Sequence, residues 1–97
     1  MAAYVIIQVN VTDAEKYEAY KKLTPASVER YGGRFLVRGG AQVDLEGVLE
    51  YSRIVLLEFP DVDRAKQWYD SPEYEELKAL RAGASTGIFT VVQGAEG

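Results

Sequence analysis

The sequence contains no cysteine and no histidine, and these two absences limit its chemistry more than any other feature. Without cysteine there is no disulfide, no thiolate metal ligand and no cysteine nucleophile. Without histidine there is no imidazole to move protons near neutral pH, to bind haem iron or zinc, or to activate a serine. Any catalysis must therefore use carboxylates, tyrosines, arginines or a borrowed cofactor, and we expect neither a metal nor a resident cofactor.

Long apolar runs and a surplus of basic residues are also lacking. The apolar start of the chain is interrupted at Gln8 and has no basic cluster before it, which is typical of a strand and not of a signal peptide. No segment approaches membrane-spanning length, so we expect a cytoplasmic protein with no membrane contact. Fifteen acidic against eleven basic residues give a net charge of -4, which disfavours binding to nucleic acid.

What the sequence does contain is enough apolar material for one core. Its length of 97 residues, of which 47% are hydrophobic, predicts a single folded domain over 1–97. Alternating and helical patterns give the order of the elements. We predict strands over 4–10, 34–38, 53–59 and 88–93, a helix from a Thr12 cap to Tyr31 with a kink or restart at Pro25, and helices over 61–69 and 72–81.

This order predicts an α+β, ferredoxin-like βαββαβ fold, with both helical segments on one face of an antiparallel four-stranded sheet. The other face remains open, and residues such as Ile6, Ile54 and Leu56 make it too apolar for water. Large exposed apolar surfaces usually mark interfaces. We therefore expect a homodimer that forms through the open sheet face, as in a dimeric α/β barrel.

The second strand is the most distinctive stretch, because glycine pairs stand on both sides of it. Strict alternation puts Arg34, Leu36 and Arg38 on the open face and Phe35 and Val37 on the helix face. We expect Gly32-Gly33 to end the first helix and Gly39-Gly40 to form a bulge or bend, with an optional continuation over 42–45. Residues 46–52 carry no clear pattern.

Arg38 and Glu58 fall on the same predicted face of adjacent strands, where cross-strand side chains are neighbours. In one interpretation Arg38, with Arg34 nearby, binds a carboxylate or enolate while Glu58 acts as a general base. In the other, Arg38 and Glu58 form an ion pair that sets the sheet register or the dimer contact. The structural interpretation is the more common outcome for such a pair.

A second candidate group surrounds the junction of the last two helices. An aromatic wall for a planar ligand would be formed by Trp68, Tyr69, Ser71 and Tyr74. The alternative is an aromatic core in which Ser71 caps a helix. Arg81 either caps its own helix or reaches a ligand carboxylate.

Several motifs together resemble the small proteins of domain of unknown function 1330. They are Tyr17 and Tyr20, the stretch Tyr-Gly-Gly-Arg-Phe-Leu-Val-Arg-Gly-Gly at 31–40, Arg53 with Leu-Glu-Phe-Pro at 57–60, and Trp-Tyr-Asp-Ser-Pro-Glu-Tyr at 68–74 with Leu77 and Arg81. The resemblance covers nearly the whole chain. It implies a dimeric α/β barrel related to small monooxygenases, muconolactone isomerase-like and chlorite dismutase-like proteins, but no particular activity.

Three hypotheses about function follow. The first is a homodimer that binds a small anionic or aromatic metabolite, either between sheet and helices or in the dimer cavity. The second is a cofactor-independent enzyme, monooxygenase-like or isomerase-like, that uses Arg38 and Glu58. The third is a dimer with a purely structural or interaction role. A pocket beside Arg38 and Glu58 would favour the enzyme.

Overall fold

A computed structural model of the protein describes residues 1–95, across which the chain forms four strands and three helices. The strands are β1 (Ala3–Val11), β2 (Arg34–Arg38), β3 (Arg53–Phe59) and β4 (Ser85–Gln93), and the helices are α1 (Ala14–Arg30), α2 (Val62–Tyr69) and α3 (Pro72–Arg81). The strands pair antiparallel in the order β2-β3-β1-β4. This topology confirms the ferredoxin-like α+β fold. Residues 96 and 97 of the expected 1–97 domain lie outside the described part.

Helix α1 begins one residue later than predicted. The side chain of Asp13, and not that of Thr12, caps the helix by accepting from the Lys16 backbone N–H at 3.1 Å. Either residue type is a good cap, so composition alone could not choose between them. The helix then continues through Pro25 without a restart. It ends at Arg30 with Tyr31 as the C-cap, after which Gly32 takes a φ of 81°.

The core lies between the sheet and the helices. Alternate residues of β1 and β3 face it, as predicted, and Val5, Leu57 and Phe59 are no more than 2% exposed. The helices contribute aromatic side chains, of which Trp68 and Tyr74 are completely buried. Within residues 1–95 no helix is long and apolar enough to cross a membrane.

The alternation predicted for β2 is wrong for Val37 and Arg38. Arg34 pairs with Glu58 and Phe35 with Leu57, but a bulge follows, so that Val37 pairs with Leu56 and Arg38 with Val55. The extra residue in the bulged strand reverses the faces of the side chains that follow it. Val37 therefore joins the open face and Arg38 the helix face.

The predicted continuation of β2 over 42–45 is also wrong. The strand ends at Arg38, and the chain from Gly40 to Ser52 contains no helix or strand. The bend that we expected at Gly39-Gly40 is present at Gly39, which turns the chain out of the strand with a φ of 66°. The bulge at Leu36 is a second irregularity, which the sequence did not predict.

Candidate functional site

A crevice lies on the helix side of the sheet, between α1 and strands β2 and β3. It brings together arginine, lysine and tyrosine side chains. Its inner part has a volume of about 20 Å³, and an outer depression of about 570 Å³ adjoins it and shares Lys21, Arg38 and Arg53 as lining residues. We call both parts together the α1–β2 crevice. The inner part is lined by Ile7, Tyr17, Tyr20, Lys21, Thr24, Phe35, Arg38, Arg53, Val55 and Leu57.

Arg38 reaches this crevice because of the bulge in β2. The bulge places it opposite Val55 on the helix face, where its guanidinium lies 4.6 Å from the centroid of the Phe35 ring. The same guanidinium donates a hydrogen bond to the backbone carbonyl of Lys21 in α1. Arg38 thus bridges the strand and the helix at the mouth of the crevice.

Arg53 enters the crevice from the first position of β3, where it pairs with the buried Val9. Its Nε is buried and has no hydrogen-bond partner among residues 1–95. The side chain passes directly over Gly39, where an added Cβ would lie only 2.1 Å from Nη1 of Arg53. The arginine can lie across the crevice because residue 39 has no side chain.

Two tyrosines of α1 form the inner wall, with ring centroids 5.2 Å apart. The hydroxyl of Tyr20 shares a hydrogen bond with that of Tyr74 from α3. Burial raises the pKa of both hydroxyls, so each stays protonated at neutral pH. Burial also raises the pKa of Tyr17, although the guanidinium groups of Arg53 and Arg81 act in the opposite direction.

Positive charge in the crevice is not balanced by carboxylates. In the part of the chain that the structure describes, no carboxylate forms a salt bridge with Arg38, Arg53 or Arg81. Glu18 is the acid that lines the outer part, where its Oε2 lies 3.7 Å from Lys21 Nζ. Since the whole chain has a net charge of -4, a local surplus of guanidinium groups favours an anion at this place.

The predicted pairing of Arg38 with Glu58 is wrong, because the bulge separates them onto opposite faces of the sheet. Glu58 pairs instead with Arg34, which lies directly opposite it on the open face, at 2.7 Å between Nε and Oε1. The Arg34 side chain is 70% exposed. Arg34 and Glu58 therefore form an ion pair on the open face and have no part in the crevice.

The aromatic group at the α2–α3 junction also lies apart from the crevice. Trp68 is completely buried and donates its indole N–H to Ser27 Oγ at 3.1 Å. Ser71 caps α3 by accepting from the Tyr74 backbone N–H. Tyr69 is half-buried beside a groove of about 270 Å³, with Lys78 Nζ 3.6 Å from its ring centroid. A ligand-binding role for Trp68, Tyr69, Ser71 and Tyr74 stays a prediction.

Arg81 packs among aromatic rings at the end of α3. Its guanidinium lies 4.6 Å from the centroid of Phe89 and 5.9 Å from those of Tyr20 and Tyr74. Its Nε is buried and lacks a hydrogen-bond partner among the described residues. Arg81 thus adds positive charge behind the tyrosine wall without lining the crevice itself, and its contact with a ligand carboxylate also stays a prediction.

Sequence reasoning did not propose Lys21 as a site residue, and it named Arg53, Tyr17 and Tyr20 only as motif residues of the family resemblance. A signal for Arg53 did exist, because an arginine at the start of an otherwise apolar strand contrasts with the residues that follow it. In residues 1–95 no group of three or more Asp and Glu side chains is arranged to hold a metal ion.

The family comparison gives one match that spans the chain. The family model described as "Domain of unknown function (DUF1330)" matches residues 2–95. No protein with a curated description matches the chain.

Solved structures with the same fold include a protein of unknown function from Rhodopseudomonas palustris, at 19% identity and a TM-score of 0.79 over 99% of this chain and 84% of that one. SnoaB, a cofactor-independent oxygenase from Streptomyces nogalater, is 14% identical over 99% of this chain and 95% of its own, with a TM-score of 0.66. A dimeric protein of unknown function with a ferredoxin-like fold from Bacteroides fragilis is 14% identical over 96% of both chains, with a TM-score of 0.57.

Proposed function

Since this chain belongs to the DUF1330 family, whose name assigns no activity, we propose from its own geometry that it is a homodimer that binds a small anionic metabolite in the α1–β2 crevice. One observation carries the proposal. Arg38 and Arg53 line the same crevice, and neither forms a salt bridge with a carboxylate of residues 1–95. Guanidinium groups in such surroundings are well suited to hold a carboxylate or phosphate through paired hydrogen bonds.

The rest of the crevice limits the kind of anion. Tyr17 and Tyr20 line the crevice with aromatic side chains, and Ile7, Val55 and Leu57 supply an apolar floor. The inner volume of about 20 Å³ holds little more than one small group, whereas the outer part is open. The ligand we propose therefore has its anionic group between the two arginines and the remainder of the molecule in the outer depression.

Self-association is supported by the open sheet face. Ile6 lies between Leu56 and Thr90 in the sheet register, and Val37 and Ile88 on the same face are 38% and 44% exposed. Several exposed aliphatic side chains grouped on one sheet face are a common feature of interfaces. The similar Bacteroides fragilis protein is described as dimeric, which agrees with this part of the proposal.

The enzyme hypothesis has less support. The similarity to SnoaB, a cofactor-independent oxygenase, favours it, but a likeness at 14% identity carries only the fold. The acid–base pair on which it depended, Arg38 and Glu58, is divided between the two faces of the sheet. The inner part of the crevice offers arginines that can stabilise an oxyanion. The carboxylate that lines the crevice, Glu18, belongs to its outer part, where its Oε2 lies 3.7 Å from Lys21 Nζ.

Calorimetric titration with inorganic phosphate and with a panel of small mono- and dicarboxylates tests the proposal. We expect Arg38→Gln and Arg53→Gln each to weaken binding of the best anion by at least about tenfold, since a charge-assisted hydrogen bond is worth about 1.5 kcal/mol or more. Arg34→Gln is the matched control, because it removes the same charge from the same sheet on the open face. Equal loss in all three variants, or no binding of any anion by the native protein, would contradict the proposal.

A further inference from the structure

The segment between β2 and β3, residues 40–52, exposes large apolar side chains to an unusual degree. We call this segment the arm. Val43, Leu45 and Val48 are 83%, 91% and 86% exposed, and each alone would be unremarkable on a protein surface. Three such side chains within six positions of an irregular segment form an apolar surface that favours burial against something else.

The arm is held at its base by polar contacts. Gln42 Nε2 donates to the Ser52 carbonyl at 2.8 Å, and the Ser52 N–H donates to Asn10 Oδ1 at 2.7 Å. The second contact joins the end of the arm to β1. The arm therefore projects from an anchored base at one end of the sheet.

The arm also continues the open sheet face. A groove of about 920 Å³ lies between its apolar side chains and Ile54 of β3. Ile54 pairs with Gln8, and both point away from the helices because their neighbours Val55 and Ile7 are buried in the core. The floor of the groove thus belongs to the surface through which we propose self-association, and whatever covers that surface meets the arm.

We propose that the arm of each protomer docks on a second copy of this chain, so that its apolar side chains and the groove beside Ile54 are covered in the homodimer. A twofold axis through the open face would bring both arms into the interface at once, since the same patch serves both protomers. Asp44, Glu46 and Glu50 interrupt the apolar side chains and would form the polar rim of the contact. The inference rests on the homodimer of the proposed function and is independent of anion binding.

Sedimentation equilibrium on a variant with Val43, Leu45 and Val48 all replaced by serine tests the proposal. We expect the dimer dissociation constant to rise by at least about a hundredfold, because several buried aliphatic groups are lost from each arm. Leu23→Ser is the matched control, since Leu23 is an aliphatic residue of α1 that is 54% exposed and far from the open face. A dissociation constant within about twofold of the native value would overturn the proposal.

A second measurement does not depend on the triple variant folding. The chain has no cysteine, so Leu45→Cys introduces a single thiol whose rate of maleimide labelling reports the exposure of the arm. We expect labelling at least about tenfold slower in the dimer than in the same protein carrying Leu56→Lys, which should be monomeric. Equal rates in a dimeric protein would overturn arm docking alone. A native chain that is monomeric in the ultracentrifuge would overturn both arm docking and the homodimer.

Discussion

The Arg38 guanidinium donates to the Lys21 carbonyl at 2.5 Å, and this carbonyl is the one that Pro25 leaves without a helical partner. Residue 25 would normally donate its N–H to the carbonyl four residues earlier, but proline has none. The gap in the α1 hydrogen bonds therefore faces the crevice, where both Lys21 and Pro25 line the outer part. The proline inside the helix thus leaves the Lys21 carbonyl free to accept from Arg38, and this hydrogen bond orients the arginine.

A double-mutant cycle between Pro25→Ala and Arg38→Ala tests this relationship. In the native background we expect Arg38→Ala to lower the free energy of unfolding by about 1 kcal/mol, because the Lys21 carbonyl loses its donor. With Pro25→Ala the helix regains an N–H for that carbonyl, and the cost of Arg38→Ala should fall by about 0.5 kcal/mol or more. Urea denaturation at one fixed protein concentration measures all four proteins, since the stability of the dimer that we propose would depend on concentration.

Arg34→Ala is the control for this cycle. Arg34 lies on the same strand but faces the other side of the sheet, so its effect should add to that of Pro25→Ala without coupling. Strict additivity of Pro25→Ala with Arg38→Ala would mean that the Lys21 carbonyl does not orient the arginine in solution.

The buried tyrosines predict a loss of stability at alkaline pH. Burial raises the pKa of Tyr20 and of Tyr74, whereas a tyrosine in the unfolded chain ionises near about pH 10. Above that pH the unfolded state holds fewer protons than the folded state, so the free energy of unfolding falls as the pH rises. Below about pH 10 both hydroxyls are protonated in the folded and in the unfolded chain, so their ionisation costs no stability there. Thermal unfolding between about pH 8 and 11 should show a steady fall in Tm above about pH 10.

Tyr74→Phe provides the comparison for the alkaline series. This variant loses the hydrogen bond to Tyr20 and is less stable at neutral pH, but it has one group fewer to ionise on unfolding, so its Tm should fall less steeply with pH. Spectrophotometric titration of the tyrosines in the folded protein can contradict this prediction. If all seven tyrosines ionised together while the protein remained folded, the buried hydroxyl pair would be excluded.

The fold was predictable from the sequence because its strands follow simple alternation. Val5 and Leu57 point into the core, as a period of two requires, and Ser71 and Asp61 cap their helices as these residue types usually do. The strand alternation follows from the pattern of apolar and polar residues, and the helix caps follow from local backbone geometry. Neither the alternation nor the caps require knowledge of which strands pair in the sheet.

The candidate site was less predictable because it depends on one bulge. Nothing in the residues 34–38 shows that Leu36 interrupts the ladder, yet this single irregularity moves Arg38 from the face of Glu58 to the face of Arg53. The pairing is decided by the fit of β2 against β3 and of Arg38 against α1. Such contacts join residues distant in sequence, so a single sequence read by local pattern does not reveal them.

The open sheet face predicts that one charge at its centre will prevent self-association. Leu56 lies opposite Ile6 and Val37 on that face, where a lysine would place an unpaired charge in an apolar contact. We expect Leu56→Lys to sediment as a monomer at concentrations where the native chain is a dimer. Leu23→Lys, on the outer side of α1, should leave the dimer intact. If Leu56→Lys remained dimeric, the interface would have to lie elsewhere on the molecule.

Gly39 and Gly40 allow a test of the crevice with adjacent, chemically identical substitutions. Gly39 has a φ of 66°, and an added Cβ would meet the Arg53 guanidinium, whereas nothing lies within 4 Å of an added Cβ at Gly40. Gly39→Ala should lower the free energy of unfolding by about 1–2 kcal/mol through backbone strain. It should also weaken anion binding, since Arg53 must leave its place. Gly40→Ala should change neither the free energy of unfolding, measured by urea denaturation, nor the anion affinity, measured by calorimetry. Equal anion affinity in the two variants would mean that Arg53 does not contact the anion.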